Sequence, residues 1–348
     1  MTFLIYGVTG YTGQLVAEQA KELGLSPVLA GRNADKTRAV AEPLGFAWTA
    51  FDLSETGKLH DALKDMDAVV HIAGPFSATS KPMADACIAT GTHYLDITGE
   101  IDVFEALAAR SGEAESAGVM LMPGCGFDVV PTDCLALHMK NRMPQARALD
   151  LAVMGLGHVS RGTAKTAIEG IRHGSRARRG GRIVPLTPPE EKTFAFPKGD
   201  KHGLSVSWGD VSTACHTTGI ADITVFFEAS GQMKKMANMN PVMRWLLGTG
   251  PGQSWLKSKI DQRPPGPTPE QRAKGYSEIL GVVRDEAGNE MRSFLTTPEG
   301  YTLTSLTTLE IIKRLEAGAA KPGFRTPAGL FGADFILDFD RCERQDLE

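Results

Sequence analysis

The sequence predicts an α/β protein: a doubly wound parallel sheet with an inserted α+β domain whose own sheet is mostly antiparallel. Three observations carry this. Short apolar runs alternate with helical stretches through the first half, a glycine turn follows the first run at once, and after about Pro144 strand-like runs follow one another without regular helices. Continuous apolar strands separated by helices imply a parallel sheet covered on both faces. Right-handed crossovers then wind it in both directions.

The elements are read in order. Thr2–Tyr6 is a β-rich run, and Gln14–Leu23 is helical. Ser26–Ala30 is the next strand, with a charged helix from Ala34 to Glu42. Trp48–Leu53 reads as strand, Leu59–Lys64 as helix and Asp67–Ala73 as a buried strand. Lys81–Thr90 is helical, His93–Ile97 strand, Ile101–Ser116 helix and Val119–Met122 strand. In the second half Ala148–Met154 is a strand and Thr163–His173 a helix, followed by strands Arg182–Leu186, Leu204–Trp208 and Ile223–Ala229. Helical stretches at Gln232–Leu247 and Gln253–Ile260 precede a proline-rich loop at Arg263–Pro267. A hairpin joins Tyr276–Asp285 to Asn289–Thr296, and Thr302–Ala317 repeats leucine and isoleucine at helical spacing. The expected domains are 1–146, completed by 299–348, and an inserted 147–298 for substrate binding and dimerisation.

Composition narrows the function. The chain has 348 residues, 37 Lys+Arg against 41 Asp+Glu and a net charge of −4, so a dedicated nucleic-acid surface is not expected. No apolar run approaches the roughly 20 residues of a membrane helix. The opening Met1–Tyr6 has no basic region and reads as a buried strand, not a signal peptide. Five cysteines (Cys87, Cys125, Cys134, Cys215 and Cys342) form no CxxC pair, and the eight histidines form no HExxH. A reducing, cytoplasmic location is expected, with no metal site.

Gly7-Val8-Thr9-Gly10-Tyr11-Thr12-Gly13 stands between the first strand and the first helix. Glycine suits a tight turn, close approach of the backbone to a pyrophosphate, and packing of the helix on the sheet. The helix N-terminus offers N–H groups to the phosphates. This is the Rossmann arrangement, although a ligand-free tight turn uses the same residues. After the second strand, Arg32 takes the place where an acid would bind a ribose 2′-hydroxyl, and no acid follows until Asp35. A guanidinium grips phosphate, so NADP is the expected cofactor. Asp52, ending the third strand, is a candidate to hydrogen-bond the adenine, or equally a helix N-cap. Ala73-Gly74-Pro75, after the fourth strand, is expected beside the nicotinamide ribose.

Three more stretches, with the glycine turn, carry a resemblance: Tyr94-Leu95-Asp96-Ile97-Thr98-Gly99-Glu100, Gly124-Cys125-Gly126-Phe127-Asp128-Val129-Val130-Pro131-Thr132-Asp133 and Pro322-Gly323-Phe324-Arg325-Thr326-Pro327-Ala328. Together they resemble the saccharopine dehydrogenase-like oxidoreductases, nearest the branch with the trans-acting enoyl reductases. The resemblance implies an interrupted Rossmann domain and an NADP-dependent oxidoreductase, and it leaves the substrate open. Asp96, Thr98 and Glu100 follow the fifth strand; Cys125, Phe127 and Asp128 follow the sixth. Ligands of parallel sheets bind beyond the strands' carboxyl ends, so Asp128, Asp96 and Cys125 are the candidates for proton transfer or substrate orientation. Helix caps and turns use the same residue types, and Cys125 reads equally as a small buried residue.

A short-chain dehydrogenase would need Lys four residues after its catalytic Tyr. Tyr6, Tyr11, Tyr94, Tyr276 and Tyr301 have Gly10, Leu15, Thr98, Leu280 and Ser305 there. Hydride exchange with a small-molecule substrate, an apolar one among the candidates, held between the domains of a homodimer is the expectation; a non-catalytic NADP sensor or structural protein is the alternative. Arg172, His173, Arg176, Arg178, Arg179 and Arg182 read as a solvated basic loop, with an anion contact as the alternative. Met233, Met236, Met239, Met243, Trp245 and Trp255, interspersed with lysines, read as core or subunit interface. Their alternative is a lid over an apolar substrate or a contact with a membrane surface.

Overall fold

The computed structural model describes residues 1–170, 174–229, 231, 240, 243, 246–247 and 249–347. Two packed units divide the chain: Met1–Val130 with Tyr301–Leu330, and Pro131–Gly300 with Phe331–Glu348.

The first unit is built on seven parallel strands. β1 (Phe3–Tyr6), β2 (Val28–Gly31), β3 (Trp48–Ala50), β4 (Ala68–His71), β5 (His93–Asp96), β6 (Met120–Met122) and the late strand Gly323–Phe324 lie in the order Gly323–Phe324, β6, β5, β4, β1, β2, β3. The order reverses between β1 and β4, as in a doubly wound sheet. All four residues of β1 and of β4 are buried, which fits a sheet covered on both faces. The connecting helices are α1 (Tyr11–Glu22), α2 (Ala34–Leu44), α3 (Thr56–Leu63), α4 (Phe76–Thr90), α5 (Ile101–Ala108) and α6 (Ser111–Ser116). Asn33 caps α2 by accepting from the Lys36 N–H at 2.9 Å. The single helix expected at 101–116 is two, because 109–110 interrupts the hydrogen-bonded run.

The second unit holds a nine-stranded sheet. Its main path is Glu191–Phe196, Gly199–Val206, Asp222–Glu228, Ala148–Met154, Tyr276–Arg284, Glu290–Pro298 and Glu343–Leu347. Among the described residues Asp222–Glu228 pairs with Ala148–Met154 in parallel, and the other pairs of this path are antiparallel. Ala152, Met154, Phe226, Leu280, Val282 and Phe294 form an apolar cluster with Phe194 and Phe196. The helix α7 (Val130–Arg142) packs on the strand Tyr276–Arg284, where a Cβ on Gly281 would collide with Met139 and meet Leu135 at 3.3 Å.

Two features depart from the expected division at 146 and 299–348. Most of α7 packs with the second unit, and the last strand pairs with Glu290–Pro298, so only 301–330 returns to the first unit. The basic loop is also overturned. Ser175–Arg179 and Arg182–Leu186 pair as an antiparallel hairpin. Arg178 is buried and donates to the carbonyls of Val211 and Gly181, both at 2.8 Å. Arg179 donates to Thr224 at 2.8 Å and Glu190 at 2.9 Å. These two arginines are thus tied to the unit's own carbonyl, hydroxyl and carboxylate groups, Arg178 buried and Arg179 with its side chain still partly exposed. Arg172 and His173, like Met233, Met236, Met239 and Trp245, lie outside the described residues.

Candidate cofactor and proton-transfer site

The glycine turn is shaped by close backbone packing. Gly7 has φ 101°, and a Cβ on it would lie 2.7 Å from the Ala73 nitrogen. A Cβ on Gly13 would strike the Gly7 carbonyl and lie 2.7 Å from the Val8 Cα. The turn is pinned by Gly7 N–H to Ala30 O at 2.8 Å and Gly10 N–H to Gly7 O at 3.1 Å. Thr9 and Gly10 are exposed, Tyr11 and Thr12 half-buried, and the Tyr11 ring meets Tyr301 edge-on at 5.1 Å. No acidic side chain stands in the first turn of α1, so its positive end is uncompensated there.

Arg32 is exposed just beyond β2. The neighbouring acid, Asp35, is bound by Arg38 at 2.9 Å. Asp52, just beyond β3, accepts from the Ser54 N–H at 3.0 Å and hydroxyl at 2.7 Å, while its own N–H donates to Glu55 at 3.0 Å. These bonds to Ser54, helped by the charge of Arg32, hold the Asp52 carboxyl below its usual range. Asp52 therefore closes the turn at Ser54 ahead of α3; the N-cap of that helix is Glu55, not Asp52 as the sequence alternative had it. A backbone cradle that a Cβ would fill, an open helix end and an exposed guanidinium at the next strand fit a dinucleotide carrying a 2′-phosphate.

Ala73-Gly74-Pro75 runs from β4 to α4 and lies against Gly7, as the Gly7–Ala73 approach shows. The Thr79 hydroxyl donates to the carbonyls of Ala73 at 2.7 Å and Pro75 at 3.0 Å, and His71 Nε2 lies 3.0 Å from the same oxygen. Glu100 accepts from the N–H groups of Phe76 at 2.8 Å and Ser77 at 2.9 Å. It thus caps α4 from a position after β5. Sequence reading missed Thr79, His71 and this use of Glu100, because a cap 24 residues away in sequence leaves no local pattern.

The three proton-transfer candidates have different fates. Asp96 is fully buried. Its carboxylate accepts from Tyr94 OH at 2.6 Å and from the N–H groups of Thr98 and Gly124, both at 2.9 Å. Burial outweighs these bonds and lifts the carboxyl to about 7. Its carbonyl also takes the Cys125 N–H at 2.7 Å. Cys125 is fully buried, its thiol donating to Met122 O at 3.2 Å and pushed well up by burial. Asp96 and Cys125 tie the loops after β5 and β6 together.

Asp128 is different. It is half-buried, and its carboxylate stands where a Cβ on Gly99 would lie 2.8 Å from Oδ2. Burial raises it to about 7, with no opposing hydrogen bond. The loop that presents it is braced by the returning helix Gly300–Glu316. Thr304 Oγ1 accepts from the Phe127 N–H at 3.0 Å, and the Thr307 hydroxyl donates to Cys125 O at 2.7 Å. A Cβ on Gly126 would press on Thr304 at 2.8 Å, and Gly124 has φ 75°. Gly126 therefore serves the close approach of that helix, while Gly124 serves a left-handed turn packed on Val129 and Phe104. Among the described residues no group of three or more His, Cys, Asp or Glu is arranged to hold a metal, and no helix is long and apolar enough to cross a membrane.

Comparison with known proteins agrees with this geometry. The family described as saccharopine dehydrogenase NADP binding domain matches residues 3–122. A trans-acting enoyl reductase of Mycobacterium leprae is 30% identical over 156 residues, 42% of this chain and 37% of its own. A saccharopine dehydrogenase-like oxidoreductase of Rattus norvegicus is 31% identical over 160 residues, 40% of this chain and 37% of its own. The matched stretch thus spans well under half the length of these relatives. Apo saccharopine dehydrogenase (L-Glu forming) of Saccharomyces cerevisiae shares the fold over 100% of both chains, with a TM-score of 0.66 at 12% identity. The match to the saccharopine dehydrogenase NADP-binding domain thus takes in residues 3–122, with the glycine turn and Arg32.

Proposed function

We propose that the protein is an NADP-dependent oxidoreductase in which Asp128 exchanges a proton with the substrate. Bound NADP would supply or accept a hydride at the nicotinamide. The chain's own part is to hold the pyrophosphate on the Gly7–Gly13 turn, to meet the 2′-phosphate with Arg32, and to move a proton at the Asp128 carboxyl. One observation carries the acid–base role: Asp128 is a partly accessible carboxyl beyond the carboxyl end of β6, raised to about 7 by burial and opposed by no hydrogen bond. A carboxyl near neutrality can both give and take a proton at working pH.

The reading extends to a small-molecule substrate, a cytoplasmic location, supported by five free cysteines, and a homodimer. Met243, Leu246 and Trp255, all exposed, support an apolar substrate or a membrane-surface contact. A non-catalytic NADP sensor is the second reading. It is favoured by the locking of Asp96 and Cys125 into the fold's own hydrogen bonds, which leaves Asp128 as the one of the three with an open carboxyl or thiol.

The test is to follow NADPH absorbance with fractionated small-molecule and acyl pools, using wild type and Asp128→Asn. Oxidoreduction that falls at least a hundredfold in the variant, with NADPH affinity kept, supports the enzyme. NADPH binding without consumption by any pool favours the sensor.

A further inference from the structure

The Ala73–Ser77 turn is held from two sides by groups with no place in the cofactor fingerprint. On one side stands Thr79. Its single hydroxyl hydrogen is shared between Ala73 O at 2.7 Å and Pro75 O at 3.0 Å, so toward His71 Nε2, 3.0 Å away, the oxygen is the acceptor. The network therefore sets the hydrogen of His71 on Nε2, and the buried Nδ1 is left bare. His71 is fully buried among Tyr6, Phe76 and Tyr94, and burial lowers it to about 3, so the ring is neutral, as this bonding requires. On the other side Glu100 takes the Phe76 and Ser77 N–H groups, one on each carboxylate oxygen. The Glu100 backbone is itself fixed, its N–H donating to Thr98 Oγ1 at 3.0 Å, and the Thr98 N–H donates to Asp96 at 2.9 Å. The clamped turn then meets the dinucleotide turn directly, since a Cβ on Gly7 would have only 2.7 Å to the Ala73 nitrogen.

From this geometry we infer that Thr79 and Glu100 are positioning residues of the dinucleotide site. They hold Ala73–Ser77 against Gly7, so that the glycine turn is preformed for the pyrophosphate. Glu100 also fills the N-terminus of α4 with a carboxylate, which closes that helix end to phosphate and leaves the end of α1 as the anion site. The inference rests on the cofactor reading above for its ligand, and on the fold alone for the coupling between the two turns.

The experiment uses the full chain and four variants: Thr79→Val, Thr79→Ser, Glu100→Ala and Glu100→Gln. NADPH affinity is measured by fluorescence titration, and amide hydrogen exchange is measured without cofactor. Thr79→Val should raise the Kd for NADPH about tenfold. It should also speed exchange both at Phe76 and Ser77 and at Gly7 and Gly10. Thr79→Ser, which keeps the hydroxyl, should match wild type. Glu100→Gln should fall between wild type and Glu100→Ala. The inference is overturned if exchange rises at Phe76 and Ser77 but not at Gly7 and Gly10, or if folded Thr79→Val binds NADPH as wild type does. Should Glu100→Ala fail to fold, the two Thr79 variants still decide. Should wild type bind no NADPH, the cofactor reading fails, while the exchange data still judge the coupling of the turns.

Discussion

Asp96 offers a decisive test of scaffold against chemistry, through Asp96→Asn. The wild-type carboxyl is fully buried and titrates at about 7 in the folded protein against 3.8 when free. A shift of about three units is worth about 4 kcal/mol at about 1.4 kcal/mol per unit. The sign follows from the direction. A carboxyl raised on folding contributes stability that is fully present below pH 3.8, and that contribution is lost as pH rises through about 7. Asparagine keeps an acceptor for the Thr98 and Gly124 N–H groups and carries no charge, so it removes the pH-dependent part. Tyr94 must turn its hydroxyl to accept from the new amide, a cost of about 1 kcal/mol that does not depend on pH. Urea unfolding at pH 4.5, 6, 7 and 8.5 should show the variant less stable than wild type at the acid end and gaining on it steadily, by up to about 4 kcal/mol, toward the alkaline end. NADPH affinity per folded molecule should stay within about threefold of wild type. Parallel stability profiles would refute the burial argument. A large fall in turnover with intact folding and binding would return Asp96 to the chemistry.

Further outcomes follow from the same geometry. Arg32→Asp should weaken NADPH at least tenfold and leave NADH nearly unchanged, read by titrating both cofactors; equal wild-type affinities for the two would refute the 2′-phosphate assignment. Gly13→Ala places a methyl against the Gly7 carbonyl and the Val8 Cα, and should cost about 2 kcal/mol in thermal or urea unfolding as overpacking does, together with most NADPH binding. Asp128→Asn should lower turnover by about 10²–10⁴-fold, the range of general acid–base groups, while leaving the protein at least as stable as wild type above pH 7, where the native carboxyl must ionise against burial. Trp255→Ser, at a side chain 57% exposed, should leave the melting temperature within a degree or two and reduce sedimentation with anionic liposomes; a collapse of stability would make the segment ordinary packing.

What was legible in the sequence is what local physics writes there. Apolar runs of four residues gave β1 and β4 because both faces of each strand are covered, and the glycine turn was visible because a tight turn and close packing admit little else. Arg32 was visible through the residue it replaces. The arginines at 176–182 were misread because a charge run is normally solvated. Arg178 and Arg179 are held by the Val211 carbonyl, the Glu190 carboxylate and the Thr224 hydroxyl, groups distant in sequence that leave no local pattern. The last strand was missed for a similar reason: Glu343–Leu347 is largely polar, as befits a sheet edge, and only its pairing with Glu290–Pro298 makes it a strand. At the candidate site the same rule separates the acids. Asp96, Glu100 and Asp128 stand at or just beyond the carboxyl ends of neighbouring parallel strands and look alike in sequence. Asp96 meets three donors, Glu100 reaches the N–H groups of α4, and Asp128 sits over Gly99, which brings it no donating side chain. Among the described residues, the acid of these three with no hydrogen-bond partner is the one able to change its protonation state without dismantling a loop, and for that reason we propose Asp128 for proton transfer.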